Sequence, residues 1–270
     1  MTAEIITATR AVSTEAGPVD VTYTERGEGR PYLILHGGAG PRSVGGFADL
    51  LAESGPGRVI VPVHPGFDGT PRPDGLSSIR GLASLYVGLL DELGLTDVTV
   101  IGNSIGGWIA AEVALLGSPR VSGLVLANAA GLQIDAYPIA DFFALTLDQV
   151  TELSYYNPDK FRVDLSAVPD AQKAVIAANR AALAVYGGRA MGDPTLLGRM
   201  PGTRVAALVV WGAADGVIPP EHGRAYAEAM PDAELRIITT AGHMPQLETP
   251  NQFLELVREF TAVHASGATA

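Results

Sequence analysis

Three side chains that together can perform acyl transfer stand at the ends of predicted strands. Ser104, Asp215 and His243 each follow a short run of apolar, largely β-branched residues, which is typical of a strand buried in a parallel sheet. Nucleophilic acyl transfer needs a hydroxyl, a base that takes its proton and an acid that orients the base. A glycine-rich turn at 36–40 follows a fourth such run and offers backbone N–H groups to an oxyanion. The sequence therefore predicts that this chemistry is assembled at one edge of a sheet.

The glycines around Ser104 have two explanations. In the stretch GNSIGG, residues 102–107, they either let a strand and a helix pack closely or let the chain turn so sharply that Ser104 projects as a nucleophile. The pattern G-x-S-x-G is weak evidence in a chain that has 32 glycines. A strand pattern before it, a helix pattern after it and the order Ser, Asp, His along the chain favour the sharp turn.

The elements that must position these residues alternate along the chain. After two strand-like stretches at the start, buried-strand patterns recur at 31–38, 58–66, 97–104, 121–131, 204–215 and 234–243. Helical patterns lie between them, for example at 45–53 and 77–94. This alternation predicts an α/β fold with a mostly parallel, eight-stranded sheet and helices on both faces.

The alternation breaks between residues 132 and 200. The stretches FFALTLDQVTELSYY and AQKAVIAANRAALAVYGG both have a helical pattern, and no buried-strand pattern appears in this region. We therefore divide the chain into a core of residues 1–131 and 201–270 and a helical insertion of residues 132–200 after the sixth strand. Ligands of such sheets bind outside the carboxyl ends of the strands, so we expect the insertion to cover that edge as a lid.

Composition excludes several classes of function. The 270 residues carry a formal net charge of −11, which argues against a nucleic-acid partner. There is no cysteine, the five histidines are scattered, and the glycines lack dinucleotide spacing, so we expect no disulfide, metal or cofactor. The polar start and the absence of a long apolar run predict a cytoplasmic protein without membrane contact. A homodimer is left open.

Four motifs resemble those of the α/β-hydrolase superfamily in type, order and spacing: HGG at 36–38, GNSIGG at 102–107, WGAADGVIP at 211–219 and AGHMPQLETP at 241–250. The resemblance covers nearly the whole chain. It is greatest to lid-bearing meta-cleavage-product hydrolases, which cleave carbon–carbon bonds, and to related esterases. It implies that Ser104 is the nucleophile, that His243 is the general base and then the general acid, and that Asp215 orients His243.

The resemblance also implies an oxyanion hole and a pocket. The backbone N–H groups of Ile105 and Gly38 would bind the oxyanion, with Ala39 as the substitute for Gly38. The apolar underside of the lid would form the roof of the pocket, which is expected to hold a small, mostly apolar substrate. The expected pocket residues are Ala39, Phe142, Phe143 and Met244.

Asp215, the predicted acid, and Asn128 each have an alternative explanation. Asp215 could cap the turn before Pro219, where aspartate is common. Asn128 ends the strand at which some relatives place their acid, but an amide cannot do that work. We expect the remaining polar candidates to be structural or solvated: His36 and His64 in their own loops, His222 and His264 on surface helices, and Arg180 and Arg189 on the lid surface.

The favoured function is hydrolysis of an ester or lactone through an acyl-enzyme. Carbon–carbon hydrolases of this kind usually carry tryptophan directly after the catalytic histidine, whereas this chain has Met244, so cleavage of a vinylogous diketone is the second hypothesis. A non-hydrolytic tailoring enzyme and a ligand-binding protein on the same fold are further alternatives. A serine at position 104 argues against relatives that use an aspartate nucleophile.

Overall fold

A computed structural model describes residues 4–14, 17–164 and 166–264 of the chain. These residues form one eight-stranded sheet, as predicted, with the strand order β1-β2-β4-β3-β5-β6-β7-β8. The strands β1 and β2 are antiparallel to their neighbours, and all other neighbouring strands are parallel. The strands are β1 (Ile6–Thr14), β2 (Gly17–Arg26), β3 (Arg30–Leu35), β4 (Gly57–Pro62), β5 (Val98–Asn103), β6 (Val121–Ala127), β7 (Ala206–Gly212) and β8 (Ala233–Ile238).

Helices follow most of the parallel strands and cover both faces of the sheet. Single turns of 3-10 helix occur at Pro158–Lys160 and Met200–Gly202. The α-helices are α1 (Arg42–Glu53), α2 (Ile79–Glu92), α3 (Ile105–Leu115), α4 (Leu147–Ser154), α5 (Asp170–Gly187), α6 (Leu196–Arg199), α7 (Pro220–Ala229), α8 (Pro245–Glu248) and α9 (Pro250–Val263). None of the helices in the described part of the chain is long and apolar enough to span a membrane.

The sheet separates two hydrophobic cores. On one face α2, α3 and α7 pack against the strands, and on the other face α1 and α9 do so. Successive residues of β7 point to opposite faces: Trp211 belongs to the first core and Val210 to the second. All six residues of β5 are buried, as expected for a central parallel strand. This continuous packing fixes the end of β5, where Ser104 follows.

Residues 132–200, which we name the helical segment, connect β6 to β7. They contain α4, α5 and α6, and the described residues of this segment include no strand, as the sequence predicted. One boundary was wrong: the helix expected from Phe142 begins only at Leu147. Thr146 and Gln149 form a capping box, with hydrogen bonds of 3.2 and 2.9 Å, that fixes the start of α4 at this point.

The helical segment is anchored to the core at its end by an ion pair. Arg199, the last residue of α6, donates to both carboxylate oxygens of Glu112 on α3, at 2.6 and 2.7 Å. The side chain of Glu112 is only 5% exposed, and that of Arg199 is 27% exposed. Asp193 accepts a third hydrogen bond from Arg199 at 2.9 Å. A buried carboxylate in this position depends on its arginine partner.

Candidate active site

The backbone is strained at Ser104, between the end of β5 and the start of α3. Its φ is 56° and its ψ is −122°, a conformation that non-glycine residues rarely adopt. The backbone N–H of Ser104 donates to the carbonyl oxygen of Ala127 at 3.1 Å, which ties the turn to the neighbouring strand β6. Helix α3 starts at the next residue, Ile105. This strand–turn–helix geometry matches the sharp turn that the sequence predicted.

The glycines around Ser104 allow close packing of the strand, the turn and the helix. A Cβ on Gly102 would lie 2.2 Å from the carbonyl oxygen of Gly106, and a Cβ on Gly106 would lie 2.1 Å from that of Leu35. A Cβ on Gly107 would lie 2.5 Å from the Cβ of Ala129. Positive φ falls on Ser104 and on none of these three glycines. Both sequence-based explanations therefore apply, because the sharp turn needs neighbours without side chains.

Asp215 follows β7 and is completely surrounded by hydrogen-bond donors. Its Oδ1 accepts from the backbone N–H groups of Val217 and Ile218, both at 2.9 Å. Its Oδ2 accepts from Asn128 Nδ2 at 2.7 Å and from His243 Nδ1 at 2.8 Å. The side chain of Asp215 has no solvent exposure. The alternative of a turn-capping residue is thus part of the same arrangement, because one oxygen caps the turn and the other faces His243.

His243 lies in the loop between β8 and α8 and is fixed through both its ring and its backbone. Its N–H donates to the carbonyl oxygen of Ser154 at 2.6 Å, and its own carbonyl accepts from Asn103 Nδ2 at 3.0 Å. Because Nδ1 donates to Asp215, Nε2 is the nitrogen left with a free lone pair. Among the described residues, no hydrogen bond yet joins Nε2 to Ser104 Oγ, a contact that commonly tightens when substrate binds.

The predicted oxyanion turn lies beside Ser104. A Cβ on Gly37 would be 3.2 Å from the Cβ of Ser104, and the turn is closed by a hydrogen bond of 3.1 Å from Gly40 N–H to the carbonyl of Gly37. In the described part of the chain, the N–H groups of Gly38 and Ile105 donate to no backbone acceptor. Two backbone donors are therefore available near Ser104, which is what an oxyanion hole requires.

Helix α5 of the helical segment lies over this turn. A Cβ on Gly38 would be only 2.8 Å from Leu183 Cδ2. The Oδ1 atom of Asn179 accepts from the N–H of Asp68 at 2.8 Å, and the hydroxyl of Tyr186 donates to the carbonyl of Pro65 at 2.9 Å. Polar contacts of α5 thus hold it against the loop that follows β4, with the leucine above the predicted oxyanion donor.

The end of α4 contacts the loops that carry Asp215 and His243. The carbonyl of Leu153 accepts from Gly216 N–H at 2.8 Å. Glu248 joins two backbone groups: Oε2 accepts from Gly242 N–H at 2.5 Å, and Oε1 accepts from Tyr156 N–H at 2.7 Å. The helical segment is therefore hydrogen bonded directly to both loops, which the sequence analysis did not anticipate.

The predicted pocket residues differ in exposure. Met244 is 6% exposed, Phe142 and Phe143 are half-buried with an edge-to-face contact, and Ala39 is exposed. The expectation that Arg180 is solvated was wrong. Its guanidinium lies 4.8 Å from the centre of the Phe142 ring and donates to the carbonyl of Phe142 at 2.6 Å, so it stabilises the turn before α4. Arg189 is 79% exposed, as expected.

His36 and His64 form a buried pair behind the oxyanion turn. His36 Nδ1 bonds the carbonyl of Gly37 at 2.8 Å, and its Nε2 accepts from the N–H of His64 at 3.1 Å. His64 Nε2 bonds the carbonyl of His36 at 2.9 Å, and its Nδ1 bonds the hydroxyl of Tyr86. Burial lowers the pKa of His36 to about 4 and lowers the pKa of His64 well below its usual value. Both rings shape their loops, as expected, and both are neutral.

The prediction that His222 lies on a surface helix gave no sign that its side chain is buried. It is on helix α7 as expected, but it is fully buried, and its Nε2 bonds the carbonyl of Tyr137 at 2.7 Å. Burial lowers its pKa, and the hydrogen bond to Tyr137 and then the charges of Asp215 and Glu221 oppose that shift. The pattern of α7 gives no sign of this burial, because the covering residue comes from the helical segment.

Asn128 is a site residue whose role the sequence analysis missed. An amide cannot replace a carboxylic acid and was set aside for that reason, yet the side chain of Asn128 donates a hydrogen bond to Asp215. Its signal in the sequence was its place at the end of β6, the strand between the two strands that precede Ser104 and Asp215. A polar residue at that position reaches the same sheet edge as the other two.

Two further features lie in the helical segment. A cavity of about 520 Å³ is lined by Leu147, Ser166, Lys173, Ile176, Ala177 and Arg180, a set that does not include Ser104. Both lysines of the chain, Lys160 and Lys173, are exposed residues of this segment. Within the described ranges, no three His, Asp or Glu side chains converge as metal ligands.

The mostly parallel eight-stranded sheet, with the sharp turn at Ser104 at the carboxyl end of β5, is typical of the class of α/β hydrolases. The family model described as the alpha/beta hydrolase family matches residues 32–256, and the chain belongs to this family.

Several curated relatives are hydrolases by name. The chain is 29% identical to 2-hydroxymuconate semialdehyde hydrolase of Pseudomonas putida, over 88% of this chain and 89% of that one. It is also 29% identical to 2-hydroxy-6-oxo-6-phenylhexa-2,4-dienoate hydrolase of Burkholderia cepacia, over 90% of this chain and 91% of that one. Among solved structures, a thermophilic esterase from Thermogutta terrifontis has the same fold, with a TM-score of 0.77, 22% identity and coverage of 96% and 99%.

Proposed function

We propose that this enzyme hydrolyses the carbon–carbon bond of a small vinylogous diketone through a Ser104–His243–Asp215 triad. The main observation in support of this triad is the hydrogen bond of 2.8 Å between His243 and Asp215. Both residues follow strands whose ends lie beside the strained backbone of Ser104. The names of the curated relatives support carbon–carbon cleavage better than the ester or lactone hydrolysis that the sequence favoured.

The proposed reaction begins when Ser104 Oγ attacks the substrate carbonyl and His243 Nε2 takes its proton. Asp215 stabilises the imidazolium that forms, and the N–H groups of Ile105 and Gly38 donate to the oxyanion. When the tetrahedral species collapses, the carbon–carbon bond breaks and its electron pair passes into the conjugated leaving fragment, which receives the proton from His243. Water activated by His243 then hydrolyses the acyl-enzyme and releases a carboxylic acid.

Ester or lactone hydrolysis is the second candidate, and Met244 favours it. The resembled carbon–carbon hydrolases carry tryptophan at this position, whereas a buried methionine offers a flexible apolar wall that suits an acyl chain. The same triad performs both reactions, because only the atom that leaves the acyl carbon differs. In either reaction the helical segment acts as a lid, a role supported by the position of α5 over Gly38.

The first experiment treats wild-type protein and a Ser104→Ala variant with a fluorophosphonate probe and maps the labelled peptide by mass spectrometry. We expect labelling of Ser104 and its loss in the variant. Labelling at another residue, or none in folded protein, would contradict the triad. Turnover of a 2-hydroxy-6-oxo-dienoate, followed by loss of its visible absorbance, is then compared with that of p-nitrophenyl esters. A preference of more than tenfold for the esters would reverse the order of the two candidates.

A further inference from the structure

We propose that Asn128 is a positioning residue that controls the basicity of His243 through Asp215. This inference rests on the proposed function, in which His243 is the base. The observation behind it is a shared acceptor: Asp215 Oδ2 accepts from Asn128 Nδ2 at 2.7 Å and from His243 Nδ1 at 2.8 Å. The amide and the imidazole therefore compete for the charge on the same oxygen.

The hydrogen bonds of Asp215 are complete only when Asn128 is counted. An ionised carboxylate has about four acceptor positions. Oδ1 uses two on the N–H groups of Val217 and Ile218, and Oδ2 uses two on His243 and Asn128. With four donors the carboxylate cannot rotate. Without the amide, Oδ2 would hold His243 alone and its charge would act more strongly on the imidazole, because hydrogen bonds to a carboxylate disperse its charge.

Asn128 is itself held in one orientation. It is fully buried, and its φ of 49° is in the left-handed region, which asparagine tolerates better than most residues. Its backbone N–H donates to the carbonyl of Val210 at 3.0 Å, and its Oδ1 accepts from Gly212 N–H at 3.4 Å. Its Nδ2 also lies 3.3 Å from the carbonyl of Gly242. The acceptors around Nδ2 fix which end of the amide faces Asp215.

Two other titratable groups lie near Asp215 and His243. His222 is close enough to Asp215 for the carboxylate to raise its pKa against the lowering by burial, and Glu248 accepts from the N–H of Gly242 next to His243. Neither His222 nor Glu248 is hydrogen bonded to Asn128, although Gly242 contacts both Asn128 and Glu248. Asp215 is the titratable group that Asn128 bonds directly, so we assign a change in pH dependence to the pair of Asp215 and His243.

The test measures the rate of fluorophosphonate labelling at Ser104 against pH in wild-type protein and in two variants. Asn128→Gly removes the donor and suits a positive φ. The labelling rate of the wild type should fall at low pH, where His243 is protonated, and we call this part of the profile the acid limb. In Asn128→Gly we expect the acid limb to lie at higher pH by about half a unit or more, and the labelling rate at high pH to be several-fold lower. Asn128→Asp is the isosteric change. Two buried carboxyls this close cannot both ionise, so the new one keeps a proton and donates it to Asp215. We expect labelling near neutral pH that falls at higher pH, where that proton is lost.

A purely structural role predicts a different result. If Asn128→Gly lowers the melting temperature but leaves the pH–rate profile superimposable on that of the wild type, the inference is overturned. Asn179→Ala is the control for the pH profile, because it removes another buried amide without contact to Asp215 and should leave the pH of the acid limb unchanged. Because Asn179 also holds α5 near the oxyanion turn, the plateau rate of this variant is not used for the comparison. A wild type without labelling at Ser104 would overturn the proposed function as well, whereas a labelled wild type with unaltered Asn128 variants would overturn this inference alone.

Discussion

The backbone N–H of His243 donates to the carbonyl oxygen of Ser154 at 2.6 Å, so the proposed base is bonded to the last residue of α4. The packing at this point leaves no space for a side chain, because a Cβ on the preceding Gly242 would lie 2.4 Å from the same oxygen. The loop of His243 and the helical segment are therefore coupled: displacement of one end of the segment removes a hydrogen bond from the base.

Glu248 provides a way to test this coupling, because its side chain bonds both partners. Glu248→Ala removes the acceptor for Gly242 and for Tyr156. We expect a loss of about 1–3 kcal/mol in the free energy of unfolding, since two backbone donors lose their partner. We also expect slower labelling of Ser104 and faster proteolysis within the helical segment. Glu255→Ala, at an exposed position of α9, is the control and should change none of these. Unchanged labelling in Glu248→Ala would contradict the coupling.

Glycines in two different environments, Gly106 beside Ser104 and Gly46 in α1, predict opposite effects of an alanine substitution. Gly106→Ala should destabilise the protein by several kcal/mol and abolish labelling, because its Cβ would lie 2.1 Å from the carbonyl oxygen of Leu35. Gly46→Ala lies inside α1, where a Cβ would meet nothing within 4 Å. It should stabilise the protein by about 0.5–1 kcal/mol, since alanine is the better helix former. Urea unfolding measures both, and near-native stability of Gly106→Ala would be evidence against the close packing.

The buried histidine pair makes stability depend on pH. In the unfolded chain His36 takes up a proton below about pH 6.5, but in the folded protein its pKa is about 4. The contribution of neutral His36 to the free energy of unfolding is therefore complete above pH 6.5 and is lost as the pH falls toward 4. His64 and His222, whose pKa values are also lowered, act in the same direction.

We expect the free energy of unfolding to fall by about 2 kcal/mol or more between pH 7.5 and pH 5, measured by urea denaturation at each pH. The magnitude follows from His36 alone. His64→Asn should weaken this dependence, whereas His264→Asn, near the end of α9, should retain it. Equal stability of the wild type at the two pH values would show that the pair is not buried in its neutral form.

The ion pair between Arg199 and Glu112 should contribute strongly to stability. Arg199→Met removes both hydrogen bonds from the guanidinium to the buried carboxylate of Glu112, and we expect a loss of about 3–5 kcal/mol in the free energy of unfolding. Arg80 also faces Glu112, but at 3.7 Å and with a side chain that is 61% exposed. Arg80→Met should therefore cost less than about 1 kcal/mol. Thermal unfolding of both variants compares them directly, and equal losses would contradict the assignment.

The strands and the positions of Ser104, Asp215 and His243 could be predicted because they depend on local sequence. A buried parallel strand leaves a continuous apolar run, and a polar residue directly after it must lie at the sheet edge. The role of Asn128 could not be predicted in this way, because its partner Asp215 is 87 residues away along the chain. Which side chain faces which at that edge depends on the strand order.

The exposure of His222 and Arg180 was misjudged for the same physical reason. In both cases a distant part of the chain packs over the side chain. His222 is on a helix whose neighbours Glu221 and Arg224 are charged, so the sequence pattern indicates solvent, yet residue 137 covers the ring. Arg180 has the charge of a surface residue, but two carbonyl groups and a phenyl ring from residues 142–145 surround its guanidinium. The spacing of apolar residues shows which face of a helix is apolar. It does not show which distant residues of the chain pack against the polar face.

Lys160 and Lys173 both lie in the helical segment, so this segment can be labelled selectively by amine-reactive reagents. Apart from the α-amino group, primary amines occur only on this segment. An amine-reactive fluorophore would therefore report any movement of this segment without an engineered cysteine. Immobilisation through amines would attach the protein by the same segment. If the segment acts as the proposed lid, an enzyme coupled to a support in that way should bind and release substrate more slowly than the free enzyme.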